Sequence, residues 1–393
     1  MRYYPDSADP ANRSDLEHCF ERALPADEGS VMLGIFLPNQ SFSEWPTLAP
    51  NATEWTYQQN LATVLAAEEM GMSFALPPSR WAGLPGDEIV WRGASLDAIT
   101  LSAALLAATT KITLLTTMHT NLLNPVVAAK FGVGLDHIGR GRWGVNVVSG
   151  WGVQEFASMG VELLDRKHRY AYTREWLDVV EALWRDGEAT LDGEYFKINK
   201  ASGRPRPMQV SPLIVNAGQS YTGMRFSAER ANYIFSYGDN AEKFRQIRAE
   251  VGSDCGFIGA KAVIVGKTAA EAQERARQII DQADRGTLRN MLVASGAASA
   301  EDAEQRMATR EDVYEFLLGD AIIASAEDAG TQLANWAATN KIDGVCLNLF
   351  DYVTDLELFR TDTIPAFEAE LAKHGKTYRR PSVPEIISES TAV

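Results

Sequence analysis

Apolar positions along this chain follow two patterns that take turns. Short continuous runs of strand length occur at Val31–Leu37, Met72–Leu76, Ile112–Thr117, Arg142–Val148, Leu213–Ala217, Tyr233–Tyr237, Ala260–Val265 and Asp343–Phe350. Between them the apolar residues take helical spacing. Leu61, Val64 and Leu65 lead to a stop at Gly71; Leu96, Ile99, Ala103 and Leu106 form a stripe behind Ser95 as N-cap; Pro125 opens a helix to about Ile138. Leu177, Val180, Leu183 and Trp184 mark another, and further helices are predicted over Tyr221–Arg230, Ala241–Val251, Thr268–Asp281, Glu327–Asn340 and Leu356–Leu371. Runs that are apolar throughout suit strands buried on both faces, as in parallel sheets. Strands alternating with helices predict an α/β fold, and a count of eight predicts a closed (β/α)8 TIM barrel. The open doubly wound alternative is weakened because GxGxxG does not follow the first strand.

The rhythm breaks at about residues 283–320, whose Ala, Glu and Asp-rich helical composition predicts a late insertion. Residues 1–30 read as a polar extension with one short helix near Leu16–Leu24. The barrel occupies 31–371, and 372–393 is a tail held extended by Pro381 and Pro384.

Charge and composition narrow the function. A formal net charge of −15 argues against nucleic acid and anionic membranes as partners. No run approaches a membrane span, and Met1-Arg-Tyr-Tyr-Pro-Asp6 lacks the apolar stretch of a signal peptide, so a cytoplasmic protein is expected. The three cysteines, Cys19, Cys255 and Cys346, have no metal-ligand spacing, and no metal site is expected. Motifs for a zinc protease, a nucleophile elbow and a phosphate loop are missing.

In a barrel, chemistry gathers on the loops after the strands, at one mouth. The polar residues falling there are Asn39, Ser79 and Arg80, Thr117 and His119, Asn146, Ser149 and Glu155, and Asn216 with Gly218-Gln219-Ser220. Asn146 stands out as an amide inside an apolar run. A buried amide without a partner costs about 1–3 kcal/mol, so it either meets neighbouring backbone or faces a ligand. Gly218-Gln219-Ser220 opens a helix, where amide N–H groups and the helix dipole favour a phosphate; the same residues serve equally as a plain cap. Arg169-Tyr170 adds a cation and a phenol, or a solvated charge beside a core aromatic. Trp81 and Trp151 suit the walls of a planar ring, though tryptophan more often packs as structure. A ring, a ribityl chain and one phosphate describe flavin mononucleotide (FMN). The scarcity of acid–base groups suits chemistry carried by a cofactor.

These residues resemble a known family. Gly34-Ile-Phe-Leu-Pro38, Phe74-Ala-Leu76, Ala107–Ile112, Gly141-Arg-Trp-Gly-Val-Asn-Val-Val-Ser-Gly-Trp151 with Glu155 beyond it, and Ala217-Gly-Gln-Ser220 are similar to the bacterial-luciferase-like flavin-dependent monooxygenases. The likeness covers most of 31–371, and the branch it resembles contains the pyrimidine and dimethyl sulfone monooxygenases. It implies a TIM barrel with a late insertion. It also implies reduced FMN delivered by a separate NAD(P)H:flavin reductase, O2 as co-substrate, and a homodimer or homotetramer. By this resemblance Ser79, Arg80, Thr117, Asn146, Glu155, Arg169, Tyr170, Gly218, Gln219 and Ser220 contact the flavin, with Ser220 at its phosphate. Thr117, Asn146 and Trp151 flank the reacting edge, where that branch forms an N5-peroxide. The implied substrates are small: cyclic amides of pyrimidine type, sulfones or halogenated compounds. Ser79 and Arg80 differ in type from the apolar residue and lysine of the pyrimidine enzyme, and Asn39–Pro50 and Trp81–Arg92 do not match closely, which leaves the substrate open. Two rivals on the same barrel are a deazaflavin-dependent dehydrogenase and a non-catalytic flavin-binding protein.

Overall fold

The computed structural model describes residues 16–150, 152–295 and 299–387. Trp151, expected at the reacting edge, lies outside them. Eight parallel strands form the body: β1 (Ser30–Phe36), β2 (Phe74–Leu76), β3 (Thr113–His119), β4 (Trp143–Val148), β5 (Leu213–Asn216), β6 (Tyr233–Tyr237), β7 (Gly256–Gly266) and β8 (Gly344–Leu349). Neighbours run β6-β5-β4-β3-β2-β1-β8-β7, and pairing of Tyr233–Tyr237 with Gly256–Ala260 closes the ring. The expected (β/α)8 barrel is therefore present. Its outer helices are α1 (Tyr57–Glu69), α2 (Ala98–Ala108), α3 (Pro125–Gly139), α4 (Arg166–Asp186), α5 (Tyr221–Arg230), α6 (Ala241–Val251), α7 (Ala326–Thr339) and α8 (Ile364–Lys373). Among the described residues, no helix is long and apolar enough to cross a membrane.

Several details depart from the sequence expectation. The cap of α2 is Asp97, whose carboxylate accepts from Thr100 N at 2.8 Å, and not Ser95. Strand β7 begins four residues before the apolar run, and its first residue has to be glycine: a Cβ on Gly256 would stand 2.4 Å from the Tyr233 ring. The helix before the C-terminus is interrupted by a π turn at Phe359–Thr363. The hairpins Glu188–Asp192/Lys197–Ser202 and Leu84–Pro85/Val90–Trp91 are largely solvated, so apolar patterning does not mark them. Ile322–Ser325 pairs with the upper half of β7, and Thr377–Arg379 pairs with the start of β1. Phe20 sits in β-bridges with Gln209 and Ile386 where a short helix was expected.

The lower barrel is filled. Met32, Phe74, Leu115, Leu213, Val215, Tyr233, Ile258 and Cys346 pack on the axis with Leu24, which rises from the N-terminal segment. The Tyr233 hydroxyl donates to the carbonyls of Leu24 at 3.0 Å and Pro25 at 3.3 Å and holds this plug. Close packing dictates Gly34, since a Cβ there would lie 2.2 Å from the Phe74 ring.

Above the barrel, helices Arg285–Ser295, Ala300–Arg306 and Arg310–Leu318 share a second core with Trp45 and Phe350. Asp284 binds this unit to the loop after β2. Its Oδ1 accepts from Asp87 N at 3.0 Å and Thr287 N at 2.6 Å, and its Oδ2 from Glu88 N at 2.7 Å and Ile89 N at 3.3 Å. Burial pushes this carboxyl up, but the N–H groups of Glu88, Thr287 and Asp87 outweigh burial and hold it below its ordinary value.

Two outcomes follow from this packing. Gly34→Ala is expected to cost about 1–3 kcal/mol by overpacking, read as a lowered urea midpoint with an unchanged slope. Asp284→Asn removes an acceptor from backbone donors and should speed amide exchange at 87–89 while leaving exchange in β1–β4 unchanged. Because the Asp284 pKa is depressed on folding, its contribution is complete above the ordinary carboxyl value and lost as pH falls through the lower folded one. Wild-type exchange at 87–89 should therefore approach that of the variant at acid pH.

Candidate active site at the barrel mouth

Side chains alternate along a strand, so Leu115 on the axis sets Thr117 and His119 facing inward above it. The register pairs Thr117 with Asn146 across β3 and β4. Both are buried, and Asn146 Nδ2 donates to Thr117 Oγ1 at 3.1 Å. The Thr117 hydroxyl hydrogen is thereby free to point elsewhere. The Asn146 Oδ1 atom is buried and meets no hydrogen-bond partner among the described residues. Thr116, with opposite parity, is spent on structure: it donates to Ser102 Oγ and accepts from Trp143 Nε1.

Glu155 joins the loops after β2 and β4. Its Oε1 accepts from Trp81 N at 2.7 Å and Ala82 N at 3.3 Å, and its Oε2 lies 3.1 Å from Arg80 Nη1. The guanidinium and carboxylate are 7% and 6% exposed, an ion pair largely removed from water. Burial lowers the Arg80 pKa to about 10 against the pull of Glu155, so the guanidinium remains charged at neutral pH. Ser79 is buried beside it. Trp81 Nε1 donates to His119 Nδ1 at 3.4 Å, and Phe156 packs edge-on to the imidazole. Burial, with Arg80 nearby, lowers His119 to about 4, so the ring is neutral and its proton sits on Nε2.

Next around the ring, Asn216 shapes the turn before α5. It donates to Val147 O at 2.7 Å and accepts from Gly218 N at 3.1 Å and Ser227 Oγ at 2.8 Å, which consumes it structurally. Ser220 caps α5, its Oγ accepting from Gly223 N at 3.1 Å. A Cβ on Gly218 would stand 2.7 Å from both the Gly223 backbone and the Tyr170 hydroxyl, and one on Gly223 only 2.4 Å from that hydroxyl. Two glycines thus make a notch that holds the Tyr170 phenol against the first turn of α5. Burial raises this phenol to about 12, so it is a neutral donor. The Gln219 side chain accepts from Ser236 Oγ and Asn240 Nδ2, and Ser220 itself is exposed. Arg169 donates to Leu164 O at 2.7 Å and Gly150 O at 3.1 Å and braces the connection from β4 to α4.

The side of the mouth formed by β1 and β8 carries Asn39, named from the sequence, and other groups that the sequence reading passed over. Asn39 Nδ2 donates to Pro78 O and Leu96 O, and its Oδ1 is buried without a partner among the described residues. Gln40 is 2% exposed, and neither Oε1 nor Nε2 has a partner there. Asn348 Oδ1 is in the same condition. Glu44 pairs with Arg92, which also donates to Ser43 O and stacks 3.9 Å from the Trp91 ring centroid. Asn348, like Asn146, is an amide in an apolar run, and that signal was available. The Glu44–Arg92 pair spans two loops and leaves no local pattern.

The sequence-named residues therefore form two groups on adjoining strands. Ser79, Arg80, Thr117, His119, Asn146 and Glu155 line the mouth over β2–β4. Tyr170, Gly218, Gln219 and Ser220 surround the notch above β5. Arg169 lies on the connection between them.

Comparison with known proteins speaks to the family and the fold. The model of the luciferase-like monooxygenase family matches residues 32–340. The pyrimidine monooxygenase RutA of Pseudomonas savastanoi pv. phaseolicola is 31% identical over 343 residues, covering 83% of this chain and 94% of its own. Among solved structures, a riboflavin lyase with modified FMN and riboflavin superposes with a TM-score of 0.76 at 19% identity, covering 90% of this chain and 94% of its own. An F420-dependent secondary alcohol dehydrogenase gives 0.63 at 18% identity, covering 86% and 99%, so the barrel alone does not choose between cofactors. The family model spans most of the barrel and both groups of mouth residues as far as residue 340, and by that match the chain belongs to the luciferase-like monooxygenase family and to its enzyme class, the flavin-dependent monooxygenases.

Proposed function

We propose that the protein is a two-component monooxygenase that uses reduced FMN and O2 to oxygenate and cleave a small organic substrate. The observation that carries this reading is the buried, unpartnered Oδ1 of Asn146 beside Thr117 at the mouth. An acceptor left dry in this way suits the N–H edge of a bound ring. The start of α5 suits a phosphate, because the exposed Ser220 opens the helix there and the Tyr170 phenol packs against its first turn. Ser220, the first-turn N–H groups of α5 and the Tyr170 phenol would hold that phosphate, with Gln219 at its rim. Ser79, Arg80 and Glu155 would wall the ring on the β2 side, and Arg169 would keep the β4 connection in place. Trp151 is assigned to the reacting edge from the sequence alone.

The chemistry supplied by reduced FMN is two-electron activation of O2, one oxygen atom entering the substrate and the other leaving as water. The chain's own contribution is preorganisation. Thr117 and Asn146 present fixed dipoles where negative charge develops, in a site whose low dielectric strengthens them. The neutral His119 and the closed Arg80–Glu155 pair keep unbalanced charge away from that point. The helices above the barrel, fixed by Asp284, shield the mouth from water. The likeness to a pyrimidine monooxygenase favours a cyclic amide as substrate, with sulfones and halogenated compounds as the other classes. A separate NAD(P)H:flavin reductase would supply the reduced cofactor in the cytoplasm, and a homodimer or homotetramer is the proposed assembly.

The direct test adds photoreduced FMN to the protein, admits air, and follows absorbance and oxygen uptake with and without substrate. Substrate-dependent oxygen uptake is expected; anaerobic hydride transfer with a deazaflavin and none with FMN would overturn the proposal. Asn146→Ala should lower product per reduced FMN by ~100-fold at an unchanged melting temperature. Ser220→Asp should weaken FMN by ~10-fold or more through like-charge repulsion while leaving riboflavin affinity unchanged, measured by flavin fluorescence quenching. Equal loss for both flavins would place the phosphate elsewhere.

A further inference from the structure

Among the described residues, orphaned buried polar atoms occur on the β1 loop and on β8, across the axis from Thr117 and Asn146. Gln40 is the most demanding. An amide can be turned end for end without changing its outline, but both ends of Gln40 are unpartnered, so it asks for one donor and one acceptor however it is placed. Gln40 lies on the loop after β1, bridged to Ser95 beside Asn39, whose carboxamide reaches Pro78 and Leu96. Within β8, alternation from Gly344, whose added Cβ would meet Ile258 and Met32, through axial Cys346 sets Asn348 inward. The β1–β8 register, Met32 with Gly344 through Ile35 with Leu347, brings Asn348 level with Phe36.

Charge on this side is cancelled. Glu44 and Arg92 pair with each other, their side chains 24% and 10% exposed, just as Arg80 pairs with Glu155 across the mouth. An anionic ligand would have to break one of these pairs. A sulfone or a halocarbon without N–H offers nothing to Gln40 Oε1 or Asn348 Oδ1. A ligand with N–H beside C=O answers both ends of Gln40 with two parallel hydrogen bonds.

We infer that Gln40 and Asn348 form the specificity-determining face of the mouth and read the –CO–NH– edge of a neutral cyclic amide or imide substrate. This rests on the monooxygenase reading above and narrows its substrate class. Oxidised FMN is first titrated into wild type, Gln40→Met, Gln40→Glu and Asn348→Leu, following fluorescence. Uracil, 2-pyrrolidinone and dimethyl sulfone are then titrated calorimetrically into each FMN-loaded protein. Wild type should bind uracil or 2-pyrrolidinone and bind dimethyl sulfone at least ~10-fold more weakly. Gln40→Met, close in shape, should lose at least ~10-fold toward the amide with FMN affinity and melting temperature unchanged. Gln40→Glu keeps the outline and replaces the donor, so it serves the same comparison if Gln40→Met does not fold. Unchanged amide affinity in the Gln40 variants, preference for dimethyl sulfone, or no binding of any probe to FMN-loaded wild type would overturn the inference. Loss of FMN affinity in place of uracil affinity would also overturn it, by moving the amide edge to the cofactor. Failure of wild type to bind FMN would instead sink the cofactor reading.

Discussion

Closure of the sheet between β6 and β7 is the constraint from which the site follows. Once Tyr233–Tyr237 pairs with Gly256–Ala260, no strand edge remains in the ring, and every second side chain must share one narrow interior. The lower interior is satisfied by hydrocarbon, with Leu24 as a stopper. The upper interior is not. Thr117, His119, Asn146 and Asn348 are forced inward by the same parity that forces Leu115 and Cys346 inward below them. A register slip of one residue would exchange Thr117 for Thr116 and Asn146 for Val145 or Val147, and erase the polar mouth without altering composition.

The polar layer depends on loops that cannot hold themselves. Glu155 gathers two backbone N–H groups and one guanidinium from the loop after β2, and Asp284 gathers three N–H groups from further along the same loop. Each carboxylate is stabilised by the donors it organises, so the loop and its anchor are ordered together or not at all. The mouth is thereby assembled from segments far apart in sequence and close in space.

Much of this was legible in the sequence. Parallel strands buried on both faces leave continuous apolar runs, and all eight barrel strands announced themselves that way. Asn146 was visible because an amide is out of place in such a run. Ser220 was visible as the opening of a helix, and it is the N-cap of α5. What escaped had physical reasons. Lys197–Ser202 is a solvated hairpin strand with little burial to pattern it. Gln40 looks like any loop glutamine until the fold buries it. Asn216 looked like a ligand contact, and only the hydrogen-bond geometry shows that the turn itself consumes it. Asp97 displaced Ser95 as the cap of α2 because a carboxylate two residues on reaches the orphaned N–H of Thr100.

The position of β1 bears on how the chain is made. Its edges are bonded to β2 on one side and β8 on the other, and its first residues also pair with Thr377–Arg379. The partner on one edge emerges from the ribosome soon after β1, whereas β8 and Thr377–Arg379 are made only after β2–β7. Throughout most of synthesis β1 therefore carries an open edge, Val31-Met-Leu-Gly-Ile-Phe36, with strong β-propensity and no charge. A chain without β8 exposes that edge to other chains, so β8 serves β1 as a cover as well as a wall of the site.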